Sequence, residues 1–187
     1  MYLVKVPTLI QKLFPEVVWT CTHDQALHLT FDDGPDPEST PRILALLDQL
    51  NLQATFFCLG ERIEKYPQLY ADIIEAGHQI GHHGYRHLSG WNTSLSDYLE
   101  NADKSKRLTH SDLYRPPYGR MTYEQYKHIK QENTIVAWSL MPGDFDTKVQ
   151  EARLSQRFTQ KEPTSIVVLH DTPTSFHRMK RILRQHL

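Results

Sequence analysis

The chain has 187 residues, of which 39% are hydrophobic and 23% charged, so residues 1–187 have the composition of a single globular domain with a sizeable core. Its 21 basic and 22 acidic residues give a net charge of −1 and form no basic run, which excludes an electrostatic case for nucleic acid or an anionic membrane as partner. The apolar stretches are too short to span a bilayer, so no membrane span is predicted.

The N-terminal stretch 1–14 interrupts its apolar pattern with Lys5, Pro7 and Lys12. It therefore lacks the unbroken apolar centre and the small-residue cleavage site of a secretory signal peptide. This pattern favours a cytoplasmic protein, with action outside the cell or at the cell wall as the alternative.

Short apolar strands alternate with helices along the rest of the chain. The predicted strands are 26–32, 54–59, 78–81, 113–115, 134–140 and 166–169. The predicted helices are 40–50, with Thr40 as N-cap before Pro41, and 67–76, 96–108, 122–131, 149–159 and 175–187. Repeated strand–helix units predict a parallel α/β sheet covered by helices, either open or closed into a barrel.

Residues suited to catalysis follow these strands at their carboxyl ends. They are Asp32, Asp33, His82, His83, Arg115, Asp144 and His170. The carboxyl ends of barrel strands share one rim, whereas in an open sheet they spread along an edge. Contributions from five strands therefore favour a closed or nearly closed ring.

The sharpest local signal is Asp32-Asp33-Gly34-Pro35. Two adjacent carboxylates repel each other unless a cation or a proton lies with them, and Gly-Pro turns the chain away from the strand. Neighbouring residues of a strand point to opposite sides, so the two carboxylates should differ in role. The alternative is a turn in which Asp caps a helix.

Histidine is unusually frequent, with 11 residues. Both His83 with His87 and His78 with His82 have the three-residue separation that can bring two imidazoles to one metal ion, and the spacing alone does not choose between the pairs. Two histidines, Asp33 and an open position describe a hydrolytic metal site.

Two further segments could complete a site on this rim. In Arg115-Pro-Pro-Tyr-Gly119 the prolines lack N–H groups, so the next free backbone N–H belongs to Tyr118 and suits an oxyanion hole; a polyproline turn is the alternative. His170 offers a titratable imidazole, unless it is a buried structural histidine.

Five segments in this order resemble the polysaccharide deacetylase family, also called the NodB homology domain or carbohydrate esterase family four. They are 30–35 (TFDDGP), 81–87 (GHHGYRH), 115–119 (RPPYG), 138–145 (WSLMPGDF) and 168–171 (VLHD). The resemblance implies a distorted parallel (β/α) barrel of about six to seven strands. It also implies one divalent metal ion, zinc in the first place and cobalt or nickel as alternatives.

The resemblance assigns roles to residues of this chain. The metal ligands would be Asp33, His83 and His87. Asp32 would be the general base and His170 the general acid.

Three further residues would support this pair. Arg115 would orient Asp32, and Asp144 would pair with His170 and keep it protonated. The backbone N–H of Tyr118 would help to hold the oxyanion.

The chain departs from the family pattern at several positions. Gly84 stands where Ser or Thr is usual, and His82 stands where Asn is common, which makes His82 a further candidate ligand or supporting donor. Met141 replaces Asp, and Phe145 replaces Trp. The sequence also stops at Leu187 before the usual last helix and strand, so we expect the N-terminal segment or a partner subunit to complete the barrel.

The leading hypothesis is a metal-dependent hydrolase of carbon–nitrogen bonds other than peptide bonds. It would remove N-acetyl groups from an N-acetylglucosamine-containing carbohydrate of the chitin or peptidoglycan type. The alternatives are an O-acetyl esterase, an amidohydrolase of small cyclic amides, and a non-catalytic carbohydrate-binding relative. A magnesium phosphatase with an aspartyl nucleophile would not need the histidines. The sequence leaves the oligomeric state open.

Overall fold

The computed structural model describes residues 2–21 and 27–187, and within them six strands form one sheet. The strands are β1 His28–Asp32, β2 Ala54–Cys58, β3 Gln79–His82, β4 Leu113–Tyr114, β5 Thr134–Ile135 and β6 Ile166–His170. Their order in the sheet is β5-β4-β3-β2-β1-β6, and all neighbours run parallel. They match the six predicted strands, although residue 26 of the first prediction lies outside the described residues.

Eight helices in this described part of the chain accompany the sheet, with two 3-10 turns at Gly90–Asn92 and Pro117–Gly119. The helices are α1 Thr8–Leu13, α2 Thr40–Gln49, α3 Gly60–Lys65, α4 Pro67–Glu75, α5 Leu95–Thr109, α6 Tyr123–Glu132, α7 Glu151–Phe158 and α8 Pro173–His186. Helices α1 and α3 were not predicted, because six residues are too few to display a helical period. None of the described helices has the length and hydropathy that crossing a bilayer requires.

The N-cap predicted for α2 was wrong by one residue. Thr40 is already helical, and Ser39 occupies the capping position. The Thr40 hydroxyl accepts a hydrogen bond from the backbone N–H of Asp36 (2.7 Å) and donates to Asp171 (2.5 Å). Its side chain therefore connects α2 to the end of β6.

The sheet curls so that its two edge strands approach each other. Past β5, the backbone N–H of Leu140 donates to Ile166 (3.2 Å), and the N–H of Val168 in β6 donates to Leu140 (2.9 Å). The predicted strand 134–140 is therefore split, because its first residues pair with β4 and Leu140 forms a parallel bridge with Val167. The prediction of a distorted parallel barrel is confirmed.

The N-terminal segment covers the gap between the two edges. Val18 forms a parallel bridge with Val136 beside β5, and Thr20 forms an antiparallel bridge with Ser165 beside β6. Val17 belongs to the same buried apolar cluster as residues that follow β5. The expected covering by this segment is thus seen within the described residues.

The strands are apolar because the sheet is buried on both faces. The larger cluster joins Phe31 of β1 and Val167 of β6 to Leu47 of α2 and Met179 of α8, and all four side chains are at most 1% exposed. This packing fixes the sheet against its helices, so the carboxyl ends of the strands form a rigid rim.

Candidate functional site

Three side chains from two strand ends converge on one point of this rim. The Asp33 Oδ1 atom lies 3.7 Å from His83 Nε2 and 3.4 Å from His87 Nε2. The two Nε2 atoms are 3.2 Å apart. Within the described residues, Asp33, His83 and His87 form the one acidic and histidine group whose ligand atoms could hold a metal ion together.

The donor set of this group suits a divalent cation. The Nδ1 atom of His83 contacts the carbonyl oxygen of Arg115 at 2.7 Å, so Nδ1 carries a proton and Nε2 is the ring atom that faces Asp33 and His87. Burial and the neighbouring His83 lower the pKa of His87 well below its usual value, which keeps it neutral. The buried Asp33 Oδ1 accepts no hydrogen bond from any described residue. A carboxylate oxygen and two imidazole lone pairs can all be satisfied by one cation.

Backbone conformation turns Asp33 out of the line of β1. Its φ is 76°, in the left-handed region that Asp adopts more readily than most residues. The ligand therefore leaves the strand direction at once, while Asp32, the last residue of β1, stays in the sheet. This difference agrees with the prediction that the two carboxylates differ in role.

The competing histidine pair is held elsewhere. His82 Nε2 contacts Asn133 Oδ1 at 3.0 Å, its ring packs 4.8 Å from that of Tyr114, and burial lowers its pKa to about 4. His78 Nδ1 contacts Gln53 Oε1 at 3.1 Å. Neither residue belongs to the group of candidate ligands.

Asp32 lies beside the candidate ligands as a buried carboxylate. Its Oδ1 accepts a 2.8 Å hydrogen bond from Arg115 Nη1, and its Oδ2 lies 4.0 Å from His83 Nε2. Burial raises the pKa of Asp32, but the charges of Arg115, His83 and His170 outweigh burial and lower the pKa. Asp32 is therefore an anion at neutral pH, able to accept a proton.

Arg115 is only 1% exposed, and hydrogen-bond acceptors on three sides hold its guanidinium in place. Besides Asp32, its Nη1 donates to Thr30 Oγ1 (2.6 Å). Its Nε donates to the carbonyl of Val136 (3.2 Å), and its Nη2 donates to that of Ala137 (3.0 Å). These bonds use the planar donor set of the guanidinium and fix its direction toward Asp32.

His170 faces the same site from β6 and is paired with Asp144. The His170 Nδ1 lies 2.9 Å from Asp144 Oδ1, and the His170 backbone N–H donates to Oδ2 at 2.8 Å. Burial lowers the pKa of His170, but Asp144, Asp33 and Asp32 raise it to about 9. The imidazole is therefore protonated at neutral pH, with Nε2–H left free for a proton transfer.

Arg178 of α8 holds the loop that carries Asp144. Its guanidinium donates to the carbonyls of Asp144 (2.9 Å), Asp146 (2.5 Å) and Val149. Arg178 could not be singled out from the sequence, because α8 carries several basic residues and no local pattern separates it from the others.

Tyr118 lies beside the candidate ligand His87, with ring centroids 4.3 Å apart. Its φ of 59° places it in the left-handed region within the 3-10 turn after the two prolines. Gly119 follows with a positive φ, and a Cβ there would lie 2.4 Å from the Trp138 ring. The turn is therefore closely packed, and Tyr118 lines the cavity above the rim, while the role of its backbone N–H stays a prediction.

Gly84 has a structural reason for its departure from the family pattern. Its φ is +83°, and a Cβ there would lie 2.6 Å from Asn101 Nδ2 and 3.1 Å from the Arg86 carbonyl. Asn101 in turn accepts from the Arg86 N–H (2.7 Å) and donates to its carbonyl (2.9 Å). Asn101 and the Arg86 carbonyl therefore occupy the space that a side chain at residue 84 would need, and the two bonds tie α5 to the loop between His83 and His87.

The N-terminal segment supplies part of the wall around His170. Phe145 packs edge-on against the His170 ring with centroids 4.6 Å apart, and Tyr2 packs against Phe145 at 4.9 Å. The buried Met141 donates its N–H to the Val4 carbonyl at 2.8 Å. The replacements at Met141 and Phe145 therefore keep an apolar wall, and Tyr2 adds a ring to it that the sequence pattern did not predict.

Asp171 fixes the turn that carries the paired aspartates. It accepts from the hydroxyls of Ser39 (2.6 Å) and Thr40, and its backbone N–H donates to the Asp32 carbonyl (2.7 Å). A Cβ on Gly34 would lie 2.3 Å from its Oδ2, so the turn lies directly against this carboxyl group. Burial raises the pKa of Asp171 to about 7, although the bonds from Ser39 and Thr40 lower it.

A cavity of about 700 Å³ opens over these residues. Asp32, Asp33, His83, His87, Arg115, Tyr118 and His170 all line it. The residues assigned to metal binding, base and acid thus face one common space, and Asp144 lies behind His170.

Comparison with known proteins gives consistent matches. The profile of the family described as polysaccharide deacetylase matches residues 20–133. Two peptidoglycan-N-acetylglucosamine deacetylases of Bacillus cereus are similar to this chain. The first is 36% identical, and the match covers 78% of this chain and 55% of that relative. The second is 32% identical, and the match covers 83% of this chain and 77% of that relative.

A solved structure extends the similarity to three dimensions. The crystal structure of the Bc1960 peptidoglycan N-acetylglucosamine deacetylase, in complex with a naphthalenyl-N-oxidanyl-benzamide, superposes with a TM-score of 0.84 at 29% identity. The match covers 96% of this chain and 90% of that one. This chain nevertheless spans little more than half of the first Bacillus cereus relative.

Proposed function

The chain belongs to the polysaccharide deacetylase family, and we propose that it is a metal-dependent hydrolase that removes N-acetyl groups from an N-acetylglucosamine-containing carbohydrate. The names of its relatives agree with the predicted enzyme class, and they favour a substrate of the peptidoglycan type. The observation that carries the proposal is the convergence of a buried anion, Asp32, and a protonated imidazole, His170, on the group Asp33, His83 and His87.

Asp33, His83 and His87 would hold one divalent ion. Two nitrogen ligands, one oxygen ligand and an open position suit zinc in a hydrolytic site, and cobalt and nickel accept the same ligands. When bound, such an ion would polarise the acetyl carbonyl and lower the pKa of a water molecule.

Asp32 would act as the general base. Its carboxylate is kept ionised by Arg115, which binds Oδ1, while Oδ2 lies 4.0 Å from Nε2 of the candidate ligand His83. It would take a proton from the water that attacks the acetyl carbon. Arg115, held by main-chain carbonyls, would keep the carboxylate in one orientation during that transfer.

His170 would act as the general acid. Asp144 raises its pKa to about 9 against the effect of burial, so the proton is present before the reaction starts. An amine leaving group needs this proton, because an unprotonated amide anion leaves poorly. The backbone N–H of Tyr118 would donate to the oxygen that becomes negatively charged.

The test is the release of acetate from defined oligosaccharides in the presence of zinc or cobalt. Chitin oligomers and peptidoglycan fragments are compared, with Asp32→Asn as the matched variant that keeps shape and removes the base. We expect turnover by the wild type and a loss of 10² to 10⁴-fold in the variant. If the protein hydrolyses O-acetyl groups but not N-acetyl groups, it is an esterase and the proposal is wrong. If it binds the sugar without any turnover, it is a non-catalytic carbohydrate-binding relative.

A further inference from the structure

The lining of the cavity includes exposed aromatic side chains and a cation. Trp91, Tyr118 and Tyr123 line it and are 64%, 57% and 67% exposed. Arg120 lines the cavity among them. Large aromatic rings left open to solvent beside a catalytic centre are suited to contact a ligand rather than to form a core.

The guanidinium of Arg120 is stacked but not neutralised. Its central carbon lies 4.7 Å from the ring centroid of Trp91 and 5.8 Å from that of Tyr118. In the parts of the chain that the structure describes, no carboxylate lies within ion-pair distance of Arg120. A guanidinium stacked on rings keeps its N–H groups available at its edge, where they can bind the two oxygens of a carboxylate.

The buried Gln125 side chain and a backbone hydrogen bond connect the turn that carries Trp91 to the segment that carries Arg120. Gln125, 1% exposed, donates from Nε2 to the carbonyls of Gly90 (3.0 Å) and Thr93 (3.1 Å) on both sides of Trp91. The Gly90 N–H in turn donates to the Arg120 carbonyl at 3.2 Å.

Gly90 is required for this close approach. A Cβ there would lie 2.4 Å from Gln125 Oε1 and 2.6 Å from the Arg120 carbonyl oxygen. The Gln125 Oε1 also accepts the N–H of Thr122, the N-cap of α6, at 2.9 Å. These hydrogen bonds hold the backbone that carries Trp91 and Arg120 in place before any ligand arrives.

We propose that Trp91, Tyr118 and Arg120 form a subsite that binds the sugar next to the acetylated one and selects glycans with a carboxylate on that sugar. The Tyr118 ring touches His87, which joins the subsite directly to the candidate metal centre. The inference rests on the proposed function, because it assigns the neighbouring sugar of the same substrate. A neutral N-acetylglucosamine oligomer offers no anion to Arg120, whereas a lactyl ether or a uronic acid does.

The experiment compares acetate release from oligosaccharides of equal length. One is a neutral N-acetylglucosamine oligomer, one alternates N-acetylglucosamine with N-acetylmuramic acid, and one alternates it with glucuronic acid. A fourth carries the lactyl carboxylate as its methyl ester. The proteins are the wild type, Arg120→Gln and the control Arg42→Gln, whose arginine also stacks on a ring, Phe176, but lies outside the cavity.

For Arg120→Gln we expect about a tenfold loss of kcat/KM on one of the two acidic glycans, mainly through KM, and less than a twofold loss on the neutral one. Esterifying the carboxylate of the glycan should lower kcat/KM of the wild type by the same factor, and it should not lower kcat/KM of the variant any further. The acidic glycan that responds identifies the source of the carboxylate. An equal loss on neutral and acidic glycans, or no loss on either acidic glycan, would overturn the subsite.

Binding measured by calorimetry on an Asp32→Asn background separates this inference from the proposed function. If no glycan releases acetate with the wild type, the proposed function fails. Tighter binding of the free acid than of its methyl ester, abolished by adding Arg120→Gln, would still support the subsite. Equal binding of acid and ester would contradict it.

Discussion

The Nη1 atom of Arg115 donates a 2.8 Å hydrogen bond to Oδ1 of Asp32, and both side chains are buried. Asp32 ends β1 and Arg115 follows β4, so the bond reaches across the rim past the two strands that lie between them in the sheet. Removing one partner of such a pair leaves an uncompensated charge in the interior, at a cost of about 3–5 kcal/mol. The pair therefore contributes to stability as well as to the ionisation of Asp32.

Replacing Arg115 by Gln should destabilise the fold by about 3 kcal/mol or more at neutral pH. It should also raise the pKa of Asp32, since burial then acts unopposed by the nearest cation. The lowered pKa of Asp32 stabilises the folded wild type when the pH is above the pKa that Asp32 has in the unfolded chain, and this stability is lost as the pH falls. The variant lacks this contribution and should therefore lose less stability on acidification. Urea unfolding from pH 3 to pH 7 and the acid limb of kcat/KM measure both effects. An unchanged acid limb would contradict the link, and Arg153→Gln on the exposed surface is the control.

Metal binding should depend on His87 and not on His78, although both belong to histidine pairs of the same spacing. The wild type should bind one equivalent of zinc, and a hundredfold excess over Kd should stabilise it by about 2.7 kcal/mol. His87→Gln should lose most of this stabilisation, while His78→Gln should keep it. Equilibrium dialysis and thermal unfolding with and without zinc provide the readouts. Loss of binding in both variants would point to a folding defect, and retention in both would rule out the assigned ligands.

The order of strands and helices could be predicted from the sequence, since apolar runs and cap residues are local signals. The position of Asp32 and His170 on one rim followed from that order. The split after Ile135 could not be predicted, because it depends on tertiary pairings. Leu140 pairs with Val167 of β6, and Val18 pairs with Val136 across more than a hundred residues. The contact of Tyr2 with Phe145 joins residues that lie still farther apart in the sequence, and it could not be predicted for the same reason. Tertiary contacts of this kind leave no periodic pattern in the sequence.

The pH dependence of activity should identify Asp144 as the group that keeps His170 protonated. With a His170 pKa of about 9, kcat/KM should fall on the alkaline side near that pH. Asp144→Asn removes the charge that opposes burial, so this limb should move down by about 1–3 pH units. The raised pKa also stabilises the wild type below pH 6.5, and this stability is lost as pH rises toward 9. The variant should show a weaker loss over that interval. A limb that stays in place after Asp144→Asn would contradict the pairing.

Tyr2 should affect catalysis through the ring of Phe145, which packs against the proposed general acid. The Tyr2 hydroxyl accepts a 2.9 Å hydrogen bond from Arg157, so the ring is fixed at both ends. Tyr2→Ala removes the ring and lets water reach His170, and we expect kcat to fall about tenfold, equivalent to roughly 1.4 kcal/mol. Tyr2→Phe keeps the ring and loses only the hydroxyl bond, so its effect should be no more than about threefold. The comparison needs both variants at equal metal occupancy. Equal losses in the two would assign the effect to the Arg157 bond, and no loss in Tyr2→Ala would remove the N-terminal segment from the catalytic wall.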